Sequence, residues 1–419
     1  MTIDITRKIP LLQLQSDALQ VLHEKSSVDG ETSETVWFYY EGKPYTLEVT
    51  KAGMFDDSNG IAITRKRPTT TGNVFRFVKD EESFDLLFPT KYYMFTSLSP
   101  TTFTSISQDG DKVMIGTDDG CIMKIPKPTP ININSLIVRK DAHYGDVLRL
   151  ASFASEKVLC SVGLDMRVKV WDNRSATSEF GDAVRVLEGV HTARVSDFAL
   201  IGRGRNLVTC GYDGKVVIWE VGSGNSVWVG QRVRKRDDPC ESIAILEVEG
   251  GEQLEDVMMA DARFFECAGK VAVCGHRSGT ISIWDLGTRL SYGELSTGEN
   301  GVEKLACVDM DHILVGLNNG VLACYSYDLS RRIGRLRWNV VVEEAEPKSD
   351  AGVSFKFVKV EGDSVIACTD NNFVRVSVDT GTLEAVFVGM EEPVCDMANY
   401  RGDEMLVVGK RSSLVSYTI

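Results

Sequence analysis

The sequence predicts a mainly β chain: a seven-bladed β-propeller preceded by a small α+β domain. Three observations predict it. A strand–turn–strand unit recurs seven times, its period lies in the forties, and the last copy stops one strand short of a four-stranded blade. A unit of that kind cannot bury both faces alone, so neighbouring copies must stack around a ring.

The clearest copies are LCSVGLDMRVKVWD (159–172), LVTCGYDGKVVIWE (207–220) and VAVCGHRSGTISIWD (271–285). Weaker ones are KVMIGTDDGCIMKIP (112–126), ILVGLNNGVLACYSYD (313–328), VIACTDNNFVRVSVD (365–379) and MLVVGKRSSLVSYT (405–418). Turn residues six places before an aromatic slot mark each copy: Asp119, Asp165, Asp213, Ser278, Asn319, Asn371 and Arg411. The steps between them are 46, 48, 65, 41, 52 and 40 residues. The long step is read as an acidic insertion over roughly 233–268 that loops out. Asp-Gly at 119–120 and 213–214, and Asn319-Gly320, suit two-residue hairpins that need positive φ. Val and Ile crowd the flanking strands, as a pleated packed surface favours.

The domain boundaries follow. Residues 91–419 form the propeller, with KYYMFT (91–96) as the strand that completes the last blade and removes the ring's exposed edges. Residues 1–90 hold no repeat. LQSDALQVLHEKSS (13–26) has helical spacing of Leu14, Leu19 and Leu22 with Asp17 near its start. TVWFYYEG and KPYTLEVT (35–50) read as a hairpin turning near Glu41-Gly42, and IAITRKR and VFRFVK as two more strands. The aromatics of this domain read as core.

Composition narrows the function classes. Apolar residues are 43% and charged residues 25%, as in globular proteins, and no apolar run approaches a membrane span. The N-terminus, MTIDITRKIPLLQLQ, lacks the features of a secretory signal, so cytoplasm and nucleus are the expected compartments. Ten cysteines include no C-x-x-C pair, and five scattered histidines offer no metal-ligand spacing. Cys160, Cys210, Cys274 and Cys368 fall in buried strands, where a reduced thiol packs as a small hydrophobe. The net charge of −14 disfavours nucleic acid and anionic membrane and favours a basic protein partner. No phosphate-binding loop, nucleophile elbow or metal cluster occurs, so neither catalysis nor a cofactor is expected.

Two copies carry a fuller pattern. His143, Ser161, Asp165 and Trp171 stand at the same spacings as His191, Thr209, Asp213 and Trp219. This set resembles the buried hydrogen-bonded tetrad of WD-repeat propellers, which implies a structural network rather than a catalytic triad. The other blades depart from it, with Ile125, Tyr325, Ser377 and Tyr417 in the Trp slot and Ser278 in the Asp slot of the fourth. A closer resemblance rests on VSDFALIGRGRNLVTCGYDGKVVIWEVGSG (195–224), with its GRGRN run at Gly202–Asn206, and on FFECAGKVAVCGHRSGTISIWD after the insertion. These are similar to the proteasomal ATPase-associated factor family. The resemblance implies a non-catalytic assembly chaperone of the proteasome regulatory particle. It implies binding of an ATPase subunit's C-terminal domain, with other base-assembly chaperones as further partners and a monomer when free. The rival reading is a WD-repeat scaffold in ribosome assembly, chromatin or a ubiquitin ligase.

In such a ring the inter-blade loops share one face with the tight turns. On that face the sequence gathers acids from the fifth to seventh blades and the first: Glu299, Glu303, Glu343, Glu344, Glu346, Asp350, Asp370, Glu391, Glu392 and Asp118. Clustered carboxylates speed and orient docking of a basic surface. Tyr212 and Arg277 are the expected anchors there, with Trp228 as a further candidate.

Overall fold

The computed structural model describes residues 8–15, 17–27, 34–50, 52–66, 73–95, 101–109, 112–126, 135–175, 180–248, 261, 263–343, 353–390, 392–399 and 404–418. The N-terminal part holds β1 (Leu12–Leu14), α1 (Ala18–Ser27), β2 (Glu34–Tyr40), β3 (Lys43–Thr50), β4 (Gly53–Asp56), β5 (Ile61–Arg65), β6 (Asn73–Lys79) and β7 (Glu82–Phe88). These strands pair antiparallel in chain order. Glu41 and Gly42 both take positive φ, 48° and 78°, the geometry that lets a two-residue turn follow the strand twist. Period-2 alternation puts Val36, Phe38 and Tyr40 inward and leaves Trp37 half exposed. Phe77 packs against Tyr40 and Phe84, with ring centroids 5.1 and 4.7 Å apart, and Ala18 and Leu22 of α1 join the same core.

The rest is a ring of seven four-stranded antiparallel sheets. Six blades cover 103–139, 147–187, 195–231, 240–296, 302–341 and 357–387. The seventh combines three strands over 394–418 with β8 (Lys91–Met94), which pairs antiparallel with Ser413–Thr418. Thr90 anchors the crossover, since both its amide and its hydroxyl donate to the Ser416 carbonyl. Apolar clusters fill the seven gaps between blades, including the closing gap, where Leu406 and Val408 meet Phe103, Ile106 and Ile115. The second strands, such as Asn206–Gly211, are buried along their whole length because a blade lies on either side. That explains their continuous rather than alternating apolar runs.

The N-terminal sheet does not merely lie against the ring. β7 runs parallel to the outermost strand of the sixth blade, Leu383–Phe387, so the two sheets fuse into one of eleven strands. Leu86 faces Val386 across this junction. The fused sheet shares one core with the fifth and sixth blades, in which Phe38 and Phe77 join Leu322, Val340 and Val365.

Two sequence expectations need correction. The insertion is shorter than 233–268: Cys240–Glu247 is the innermost strand of the fourth blade, and the extra residues lie between it and Lys270–His276. The acidic flanks hid the alternation of CESIAILE. The tight turns are also not two-residue hairpins with paired positive φ. In the third blade Gly214 N–H donates to the Gly211 carbonyl and only Gly214 is left-handed, at φ 70°. That is a type I turn with glycine at its fourth position, and it leaves Asp213 at the third free to accept from a neighbouring loop.

Candidate functional site

The two tetrads form as hydrogen-bonded chains. His143 Nδ1 lies 2.9 Å from Asp165 Oδ1 and its Nε2 2.7 Å from Ser161 Oγ, which accepts from Trp171 Nε1 at 2.8 Å. In the third blade His191 bridges Asp213 at 3.0 Å and Thr209 at 2.8 Å, and Trp219 Nε1 donates to Thr209 Oγ1 at 2.9 Å. Burial works against the Asp213 carboxylate. The His191 hydrogen bond and the Thr192 and Lys215 amides outweigh it, and its pKa falls to about 2. Every polar atom of each chain has a partner, so the chains lock the inter-blade loop to the turn rather than activate a nucleophile.

The fourth blade has a rewired version that the spacing rule missed. His276 sits at the end of the second strand, and its Nε2 meets Ser282 Oγ at 2.8 Å, which also accepts from Trp284 Nε1 at 3.0 Å. The acid comes from the preceding loop: Asp238 accepts from the Ser278 hydroxyl at 2.6 Å and pairs with the buried Arg232 guanidinium. Arg232 also holds Glu294 through two nitrogens, at 2.7 and 2.8 Å. Burial, helped by nearby Arg232, pushes the His276 pKa down to about 4. His276 at the end of the second strand, together with Asp238 in the loop before the blade, is the trace of this network in the sequence.

A second repeating device lines the central channel. Asp197, at the bulge of the third blade's inner strand, accepts from Ser242 Oγ and the Ile243 amide of the fourth, both at 3.0 Å. The Ser242 hydroxyl in turn accepts from the Leu305 amide of the fifth. Asp396 repeats the pattern from the seventh blade to Ser105 and the Ile106 amide of the first, and Ser105 accepts from Leu150 of the second. Arg149 pairs with Asp197, and Lys359 with Asp396 at 2.6 Å. Val-x-Asp at 195–197 and 394–396 is the sequence trace of these staples.

On the loop face, the sequence-selected residues fall into two groups. Tyr212, Arg277 and Glu303 come together on the third to fifth blades. The Arg194 guanidinium lies 4.1 Å over the Tyr212 ring. Burial and a hydrogen bond to Glu241 push the Tyr212 pKa to about 12. Burial and Glu241 also raise Glu303, while Arg277 and Glu299 are exposed. The second group is engaged internally. Asp370 pairs with Lys356 at 2.8 Å, Glu392 with Arg411 at 3.1 Å, and Glu343 accepts from the Asn371 side chain at 2.5 Å. Asp118 accepts from the Thr102 amide. Asp370 and Glu392 line one groove of about 410 Å³ with Leu12, Leu14 and Trp37 of the N-terminal sheet. Glu344, Glu346, Asp350 and Glu391 lie outside the described residues. Trp228 is not on this face. It sits in the third blade's outer strand with its ring 5.6 Å from Trp284. Sequence reasoning passed over Tyr144, Leu164 and Met166, which are exposed on the rim of the first and second blades.

Among the described residues no group of three or more His, Cys, Asp or Glu could hold a metal, and no helix is long and apolar enough to cross a membrane. The ten free thiols are buried or half-buried.

Comparison with known proteins agrees with this geometry. The model of the WD domain, G-beta repeat, matches residues 134–172 and 181–220, the two blades with complete tetrads. The 26S proteasome regulatory subunit RPN14 of Saccharomyces cerevisiae is 26% identical over 336 residues, covering 76% of this chain and 75% of that protein. A guanine nucleotide-binding protein subunit beta-like protein of Encephalitozoon cuniculi is 26% identical over 34% of this chain and 50% of its own. The crystal structure of Saccharomyces cerevisiae Sqt1 superposes with a TM-score of 0.58 at 15% identity, over 80% of this chain and 98% of that one, which speaks for the fold. Seven closed blades, two matched repeats and interlocking His–Ser/Thr–Asp–Trp chains make this protein a WD-repeat β-propeller, similar over three quarters of its length to a proteasome regulatory subunit.

Proposed function

We propose that this protein is a non-catalytic assembly factor of the proteasome regulatory particle that docks an ATPase subunit's C-terminal domain on its loop face. The observation that carries the reading is the similarity to RPN14, which extends over 76% of this chain rather than one repeat. The physical setting agrees. A chain of net charge −14 suits a basic partner, and a rigid ring presents its loops as a preorganised surface, which lowers the ordering cost of binding. On this reading the protein works in cytoplasm and nucleus, is a monomer when free, and meets other base-assembly factors while bound.

The test is a binding panel with the purified protein. Proteasomal ATPase C-terminal domains are compared with histones, ribosomal proteins and cullin components. Saturable binding to one ATPase domain and none to the others supports the proposal. Binding only to another class overturns it in favour of a scaffold elsewhere. A parallel screen on ester, phosphate and nucleotide substrates is expected to show no turnover.

A further inference from the structure

The rim between the first and second blades differs from the rest of the loop face. Tyr144, Leu164 and Met166 are 76%, 45% and 44% exposed. They stand on one loop and the tight turn that it contacts. The Tyr144 amide donates to Asp165, the Leu164 amide donates to the Asp146 carbonyl, and the Leu164 side chain borders Gly145. The first blade's turn adjoins it, since the His143 amide donates to the Gly120 carbonyl. An exposed tyrosine or leucine alone needs no explanation, but three adjacent apolar side chains on one rim do.

Met166 makes the point sharper. It occupies the turn position held by Gly120, Gly214, Gly279 and Gly320 in other blades, all with φ between 70° and 80°. Met166 takes φ 62° there, a left-handed conformation that a side chain disfavours and glycine does not. Folding alone does not call for methionine at a site whose backbone suits glycine and whose side chain faces solvent. Strain kept at a surface turn points to use of the side chain. Methionine and tyrosine are also the residue types enriched in docking surfaces.

The patch is ringed by carboxylates. Asp118, Asp119, Asp141 and Asp146 stand on the two turns and the loop between them, and none makes an ion pair among the described residues, in contrast to Asp370 and Glu392. We infer that this rim is the anchor of the loop face, taking a projecting apolar side chain flanked by lysine or arginine on the surface of a protein partner. The inference rests on the docking role proposed above and names where and how that face grips.

The test measures Kd and association rate for the ATPase C-terminal domain that binds the wild-type protein. Variants are Met166→Gly, Tyr144→Ala and the double Asp141→Lys/Asp146→Lys. Met166→Gly is expected to leave Tm unchanged or higher while weakening binding about tenfold or more, and Tyr144→Ala to weaken it similarly. The charge-reversed pair is expected to slow association at low salt, with the difference shrinking at high salt. Affinities within twofold of wild type for all three variants overturn the anchor while leaving the docking proposal standing. A wild-type protein that binds no ATPase domain removes the docking proposal itself, and the anchor with it.

Discussion

Replacing Asp213 by asparagine isolates the charge in the third blade's network. The carboxylate is 5% exposed, so solvent screens its interactions little. Its pKa of about 2 lies nearly two units below the 3.8 of a free aspartate. At 1.36 kcal/mol per unit this is about 2 kcal/mol of stability. The folded pKa is the depressed one, so the contribution is complete above pH about 4 and is lost as pH falls towards 2. Asparagine keeps the shape and one acceptor but cannot carry the charge. Urea unfolding followed by circular dichroism is expected to place Asp213→Asn about 2 kcal/mol below wild type at pH 7. By pH about 3 the gap should be about half that, because wild type is then losing what the variant never had. An equal gap at both pH values would refute the argument and assign the cost to geometry rather than charge.

Further predictions follow from the same contacts. Ser282→Ala leaves the buried His276 Nε2 and Trp284 Nε1 without their shared acceptor and should cost about 1–3 kcal/mol; an unchanged Tm would show that the fourth blade's network contributes nothing. Because His276 is held neutral when folded but titrates normally when unfolded, its stability contribution is present above pH about 6.5 and is lost as pH falls towards 4. His276→Gln should flatten the stability profile across that window, and an identical slope would sink the reading. Asp197→Ala strips Arg149, Ser242 and the Ile243 amide of one shared acceptor and should destabilise by about 3 kcal/mol, more than any single serine substitution in the ring. Burial raises all ten cysteine pKa values, among them Cys267 to about 12 and Cys395 to about 11. Thiol reagents should therefore label the native protein slowly and uniformly only after unfolding; a fast native-state burst would contradict this.

The architecture was legible because its signals are local and repeated. The His-to-Asp and Ser/Thr-to-Trp spacings of the second and third blades appear directly in the linear sequence, and so does the apolar monotony of the second strands. The fourth blade was not readable in this way. Its acid, Asp238, reaches Ser278 from forty positions upstream, and only folding shows that Arg232 and Glu294 close the same network. The acid rim was half legible. Position on the face could be inferred from the ring, but pairing could not, and Asp370 and Glu392 proved to be neutralised by Lys356 and Arg411. Met166 was invisible for a different reason. A methionine in a turn looks like any other until its φ is known and four glycines stand at the equivalent place.

The completing strand of the seventh blade has a consequence for biogenesis. Lys91–Met94 pairs with Ser413–Thr418, more than three hundred residues further along the chain. Until both strands have been made the ring has an unzipped seam, with the inner strands of the seventh and first blades unable to meet. Closure is therefore a single long-range event of high contact order, possible only once every blade in between has been made. The protein thus passes through an open, adhesive intermediate on every round of synthesis.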